Sequence, residues 1–245
     1  MANQALALLE SALRDRKLDR TLTSALPSLE RTDPGALVPS DVAALDACLR
    51  GGLPRGQLSE LAGPQSSGRM TLLLQMLAAA ARRGELTALV DTCDRLDVGS
   101  VVAAGVDLDR LLWIRGADVV PSGSAPERIV DRALKALNLV LQAGGFGLVA
   151  IDLAEVPPLI LKRLPFTTWL RVQRTIEGSD TACVLVTPEP LARSAGGVTL
   201  TLAGRPTWAG TADRSRRLTG LDDGVRVMSP RRRMDGEIRV EAVVQ

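Results

Sequence analysis

One stretch limits the folds open to this chain more than any other. Leu58-Ser59-Glu60-Leu61-Ala62 reads as a buried strand, Gly63-Pro64-Gln65-Ser66-Ser67-Gly68 as a glycine-bounded turn, and residues 69–83 as an apolar helix. A strand feeding a helix through G-x-x-x-x-G is the layout of a phosphate-binding loop, in which backbone N–H groups at the helix N-terminus face an anion. A working loop continues with Lys, which holds the β- and γ-phosphates, and then Ser or Thr, whose hydroxyl holds Mg²⁺. Arg69 and Met70 stand there instead. Met70 offers no oxygen to a metal that takes oxygen ligands, whereas Arg69 keeps the charge needed to bind phosphate as an anion site. Residues 63–70 are therefore either a nucleotide site or a strand-to-helix turn kept for packing.

The surrounding chain sets this unit in an alternating series. Short apolar strands at 87–91, 111–115, 147–152 and 182–187 alternate with helices at 97–104, 126–142, 158–164 and 166–177. Upstream, Leu6, Leu8, Leu9 and Leu13 give residues 3–17 the pattern of an amphipathic helix; residues 21–38 read as loop, and 40–49 as a short helix stopped by Gly51-Gly52. Beyond residue 197 the helices cease, and strands are expected at 198–203, 224–228 and 237–243. Such a series predicts an α/β fold, a mostly parallel sheet flanked by helices with antiparallel strands at the C-terminal edge. Residues 1–39 are expected to form an N-terminal helix and linker, and residues 40–245 the core. The stretch 204–223 is the expected mobile loop. Leu148-Val149-Ala150-Ile151-Asp152 has the form of a Walker B strand, four apolar residues and an acid. Asp152 is then a partner of Mg²⁺ or a polar strand end, and Met70 favours the second.

Composition removes several chemistries. The chain of 245 residues has no His, which excludes Ser-His-Asp and Cys-His hydrolases. Cys48, Cys93 and Cys183 are scattered without zinc-ligand spacing and read as small apolar filler. A net charge of +2 does not mark a nucleic-acid binder, and 2% aromatic residues disfavour a single-strand binding face of stacked rings. No apolar run reaches the roughly 18 residues of a membrane span, and Glu10, Arg14, Asp15, Arg16 and Lys17 break the pattern of a signal peptide. No membrane association and a cytoplasmic location are expected.

With these features in place the sequence resembles the core of RecA. Leu45-Asp46-Ala47-Cys48-Leu49, then Gly51-Gly52-Leu53-Pro54-Arg55-Gly56, then the strand into Gly63-Pro64-Gln65-Ser66-Ser67-Gly68, is similar to that family's LD-x-x-L segment, GGLP-x-G turn and GPESSGKT loop. The likeness runs through Leu74-Gln75, Asp91, the Walker B strand and the β-rich end, over about residues 1–243; no counterpart of the separate C-terminal domain of RecA is expected. The departures fall on the chemistry. In RecA the strand matching the one ending at Asp91 is followed by Ala-Glu, and that Glu positions the attacking water; Thr92-Cys93 follow here, with Asp94 one residue further as the candidate substitute. The strand at 182–187 ends in Asn-Gln in RecA, the Gln sensing the γ-phosphate; Thr187-Pro188 occupy that end here. The two DNA-binding loops are replaced by residues 159–166 and shortened to about 189–197. Loss of one catalytic group commonly removes several kcal/mol of transition-state stabilisation. Loss of the Lys, the metal hydroxyl, the Glu and the Gln together leaves no expectation of ATP hydrolysis, and neither a cofactor nor a metal is expected.

That pattern is similar to the ImuA family, RecA-like proteins without recombinase activity. The resemblance implies an accessory role in damage-induced mutagenic translesion DNA synthesis, with an ImuB-like protein and an error-prone DNA polymerase subunit as partners, and RecA and DNA as further candidates. Two rivals stay open: an active RecA-like DNA-dependent ATPase with a relocated site, and a cell-division inhibitor of the SulA type. Arg214, Arg216 and Arg217, with Arg231, Arg232 and Arg233, form the densest basic region, and Arg193 lies in the shortened loop. Each is a candidate contact for DNA or a partner, or else charge that keeps a hairpin soluble. Trp208 is expected to lie buried under the 204–223 loop, with partner anchoring as the other reading. The helix at 3–17 docks on a partner or on its own core.

Overall fold

A computed structural model describes residues 34–116, 126–192, 197–210, 216–229 and 234–243. The expected helix at 3–17 lies outside these residues, as do Arg193, Arg214, Arg231, Arg232 and Arg233.

The described chain opens with a 3-10 turn at Pro34–Ala36 and β1 (Leu37–Val38), which pairs antiparallel with β2 (Leu53–Pro54) around α1 (Ala43–Cys48). Residues 37–38 were expected as loop; two residues are too short to show alternation, and the pairing comes from across the clip. The core follows as β3 (Leu58–Ala62), α2 (Arg69–Arg82), β4 (Leu86–Asp91), α3 (Val98–Ala103), β5 (Leu111–Arg115), α4 (Pro126–Ala143), β6 (Phe146–Asp152), α5 (Pro158–Arg163), α6 (Thr167–Ile176) and β7 (Ala182–Thr187). Next come β8 (Thr199–Leu202), β9 (Arg205–Ala209), β10 (Arg217–Ser229) and β11 (Met234–Val243).

The main sheet runs β11-β10-β8-β3-β7-β6-β4-β5, with β9 also paired to β10. Strands β8, β3, β7, β6, β4 and β5 are mutually parallel, and β9, β10 and β11 pair antiparallel at the C-terminal edge. This is the expected fold class.

Strand alternation divides the core between the two faces of the sheet. Leu61, Leu148, Ala150, Val184 and Val186 pack with Leu73, Met76 and Leu77 of α2 and Val101 of α3. On the other face Leu58, Val149, Ile151, Cys183 and Leu185 pack with Val130, Leu134 and Leu137 of α4, Leu161 of α5 and Trp169 and Val172 of α6. Covered on both faces, these strands read as continuous apolar runs. Cys93 and Cys183 are buried and Cys48 is half-buried, in keeping with their reading as filler. Among the described residues no helix is long and apolar enough to cross a membrane.

The C-terminal edge departs from expectation. Residues 205–209 and 217–223, placed in a mobile loop by sequence, form β9 and the first half of β10, paired from Arg205↔Asp222 to Ala209↔Arg217. All five β9 residues are exposed, so no buried apolar face marks that strand in the sequence. Cross-strand bonds hold them instead, with Thr219 Oγ1 donating to the Thr207 carbonyl at 3.0 Å. Trp208, expected to be buried, is 52% exposed on β9. Strands β10 and β11 form the expected hairpin, paired as far as Ser229↔Met234.

Candidate nucleotide site

The loop joining β3 to α2 keeps the backbone shape its glycines imply. Gly68 caps α2 at φ 88°, and Ser66 also adopts the left-handed conformation at φ 63°. Gly63 is held by close approach: a Cβ there would come within 2.7 Å of the Leu202 carbonyl oxygen and nearer still to Ser67 Oγ. Its N–H donates to the Thr187 carbonyl at 3.1 Å, which ties the loop to the end of β7.

Arg69, the first residue of α2, turns its guanidinium back into the protein, and its side chain is only 8% exposed. One nitrogen donates to the Gly63 carbonyl at the start of the loop. Another donates to Glu155 Oε1, just past β6, at 3.3 Å. Met70 packs against the α2 face of the core. Asp152 ends β6, buried, and its Oδ1 accepts from the Ala154 N–H at 2.8 Å. Burial pushes this carboxyl up to about 6. The Ala154 N–H and Arg69 pull it down, while Asp91 and Glu155 push it further up.

The neighbouring strand end is committed to structure. Asp91 pairs in register with Asp152 across β4 and β6. Its Oδ1 accepts from the Arg95 N–H and its Oδ2 from the Leu96 N–H, both at 2.9 Å, and Oδ2 also accepts from Trp113 Nε1 at 3.2 Å. These bonds shape the turn carrying Thr92 and Cys93. The Cys93 thiol is buried and pushed up to about 11 by burial and by the charges of Asp152, Asp91 and Glu155, so it is no nucleophile at neutral pH. Asp94 is gripped by both prongs of Arg115, at 2.7 and 2.8 Å, and this hydrogen bonding holds its carboxyl below the usual range. Arg115 in turn lies 4.8 Å over the Trp113 ring.

A residue that sequence reasoning missed lies beneath the end of β7. Glu60, in the middle of β3, is fully buried. Its Oε1 accepts from the N–H groups of Leu191 (2.6 Å) and Ala192 (3.2 Å) and from Thr187 Oγ1 (3.2 Å). Its Oε2 has no hydrogen-bond partner among the described residues, and burial raises its pKa above the usual carboxylate range. A charged residue inside the apolar run of β3 was the available signal. Glu155, the partner of Arg69, carried none.

Do these residues fit a nucleotide with Mg²⁺, which the fold implies? The backbone loop does. The side chains do not: the cation at the Lys position is taken up by Gly63 and Glu155, and a thioether replaces the metal hydroxyl. Among the described residues no group of three or more His, Cys, Asp or Glu could hold a metal. Arg216 and Arg217 are exposed at the start of β10, on the outlying antiparallel strands rather than at this loop.

Comparison with known proteins agrees with this geometry. The protein RecA of Clavibacter michiganensis subsp. michiganensis is 37% identical over 147 residues, 59% of this chain and 37% of that protein. The protein RecA of Leifsonia xyli subsp. xyli is 36% identical over 139 residues, 56% of this chain and 36% of that protein, and the RecA of Methylococcus capsulatus is 37% identical over 117 residues, 47% and 30%. The chain thus spans about a third of the length of the curated relatives it matches. The RecA N-terminal domain family matches residues 24–158, more than half of the chain and the whole of the loop, the β4 end and the Walker B strand. A glycine loop between β3 and α2, an acid ending β6 and a parallel sheet with β3 between β8 and β7 thus accompany that match, and the chain belongs to the family of the RecA N-terminal domain.

Proposed function

We propose that this protein is a non-hydrolysing RecA-like accessory factor of damage-induced mutagenic translesion DNA synthesis, of the ImuA kind. It works in the cytoplasm through contacts with an ImuB-like protein and an error-prone DNA polymerase subunit. RecA and DNA are further candidate partners, with the exposed Arg216 and Arg217 as candidate contacts. No nucleotide or metal takes part. The observation that carries this reading is the joint replacement of the chemical positions within a retained fold. Arg69 is bonded inward, Met70 lacks a hydroxyl, Thr92-Cys93 stand where the family has its water-positioning Glu, and Thr187-Pro188 stand where it has its sensor Gln. The candidate substitute base, Asp94, is held by Arg115, which weighs against an active ATPase with a relocated site.

ATP turnover measured with and without single-stranded DNA tests the first half of the reading. The expected result is no turnover above the protein-free rate; robust turnover abolished by Arg69→Ala sinks it. Co-purification with an ImuB-like protein tests the second half, and capture of a cell-division protein in its place favours a SulA-type inhibitor.

A further inference from the structure

We propose that Arg69 and Glu155 form an internal latch that closes the β3–α2 loop against phosphate, so that phosphate affinity is suppressed by competition rather than by damage to the loop. The inference rests on the reading that this loop no longer serves hydrolysis, and deepens it by naming what fills the place of the substrate.

Three observations meet here. The anion-binding frame is whole: Ser66 and Gly68 keep their left-handed backbone, and the N–H groups of Gln65, Ser66 and Gly68 take no acceptor among the described residues. The cation is engaged at both prongs, bridging the Gly63 carbonyl at the head of the loop and Glu155 beyond β6, 86 residues on. A Lys ammonium is a single compact charge on a flexible stem, whereas the planar guanidinium fork spans two acceptors at once. The substitution at position 69 thus supplies the geometry of a bridge. Finally, the surroundings are acidic. Asp152 is buried and feels the charges of both Asp91 and Glu155. A phosphate entering the loop must take Arg69 from its partners and then sit beside those carboxylates. Glu155 is the movable part, since its side chain is 43% exposed and its hydrogen bond to Arg69 is the only one it makes among the described residues.

Glu155→Gln keeps the shape and removes the charge that competes with phosphate. The probe is sodium pyrophosphate without Mg²⁺, with binding read by titration calorimetry and folding checked by thermal melting. The natural protein should bind weakly, and Glu155→Gln should bind about five- to tenfold tighter, the scale of one partly exposed charge pair plus one like charge removed. Combining it with Arg69→Ala should abolish the gain, because the freed guanidinium is what meets the anion. A folded Glu155→Gln protein with unchanged affinity overturns the latch, and a gain that survives Arg69→Ala overturns the role of Arg69. Glu155→Ser serves as a second variant should the first fail to fold. ATP turnover separates the two ideas: a latched loop released by Glu155→Gln that binds pyrophosphate without turning over ATP leaves the non-hydrolysing reading standing, whereas turnover by the natural protein sinks that reading whatever the latch does.

Discussion

The substitution Asp152→Asn removes the charge that the end of β6 holds out of water. The Asp152 carboxyl titrates at about 6 in the folded protein against an ordinary value of 3.8, mainly through burial. A shift of about two pH units at about 1.36 kcal/mol each corresponds to about 3 kcal/mol. The sign follows from the raised value. Below the unfolded pKa the group is protonated in both states and exacts no penalty; as pH rises through about 6 the folded protein must carry a buried charge, and that stability is lost. The amide of the Asp152→Asn variant keeps an oxygen to accept from the Ala154 N–H and never ionises. Urea unfolding at pH 4, 5, 6 and 7.5, followed by circular dichroism, should show the variant close to the natural protein at pH 4. The gap should widen with pH toward a limit of about 3 kcal/mol in favour of the variant at pH 7.5. Subtracting the two profiles removes the titrating groups that do not interact with Asp152, including Glu60. A gap that does not change with pH, or a variant less stable than the natural protein at pH 7.5, refutes the reasoning, because Asp152 then has a partner that stabilises its charge.

Other perturbations test other parts of the molecule. Glu60→Ala strips the acceptor from the N–H groups of Leu191 and Ala192 and should lower stability by about 2–4 kcal/mol, with faster hydrogen exchange at those two amides. Gly63→Ala places a methyl group against the Leu202 carbonyl and Ser67 and should lower stability by about 1–3 kcal/mol in thermal unfolding. Leu73→Ala, at a fully buried position of α2, should lose about 3–5 kcal/mol in urea. Trp208→Ala should change stability by less than about 0.5 kcal/mol and remove the most water-exposed indole emission, since Trp208 is 52% exposed and Trp169 only 3%.

Much of the frame is legible in the order of residues. The glycine-bounded turn Gly63–Gly68, set between a short strand and a long apolar helix, located β3, the loop and α2, because such a turn marks where one element gives way to the next. The buried parallel strands β4, β6 and β7 declared themselves in the same way, as short apolar runs between helices. Strand β9 and the first half of β10 did not: β9 is exposed, and the two are strands through their pairing across the sheet. Trp208 was misplaced for the same reason: its surroundings are set by partners across the sheet.

The site divides along the same line. Local chemistry was decided by the sequence alone: Met70 cannot supply a hydroxyl, Cys93 cannot act as a carboxylate and Pro188 cannot act as a Gln sensor, wherever the chain folds. What Arg69 does could not be read there, since a guanidinium beside a glycine loop can hold a phosphate or an internal acid equally well. The choice is made by Glu155, 86 residues away, and the buried Glu60 likewise finds its partners at Leu191 and Ala192, 131 and 132 residues on. Charged groups take whichever partners the fold brings within about 3 Å, and that proximity exists only once β3, β6 and β7 lie side by side.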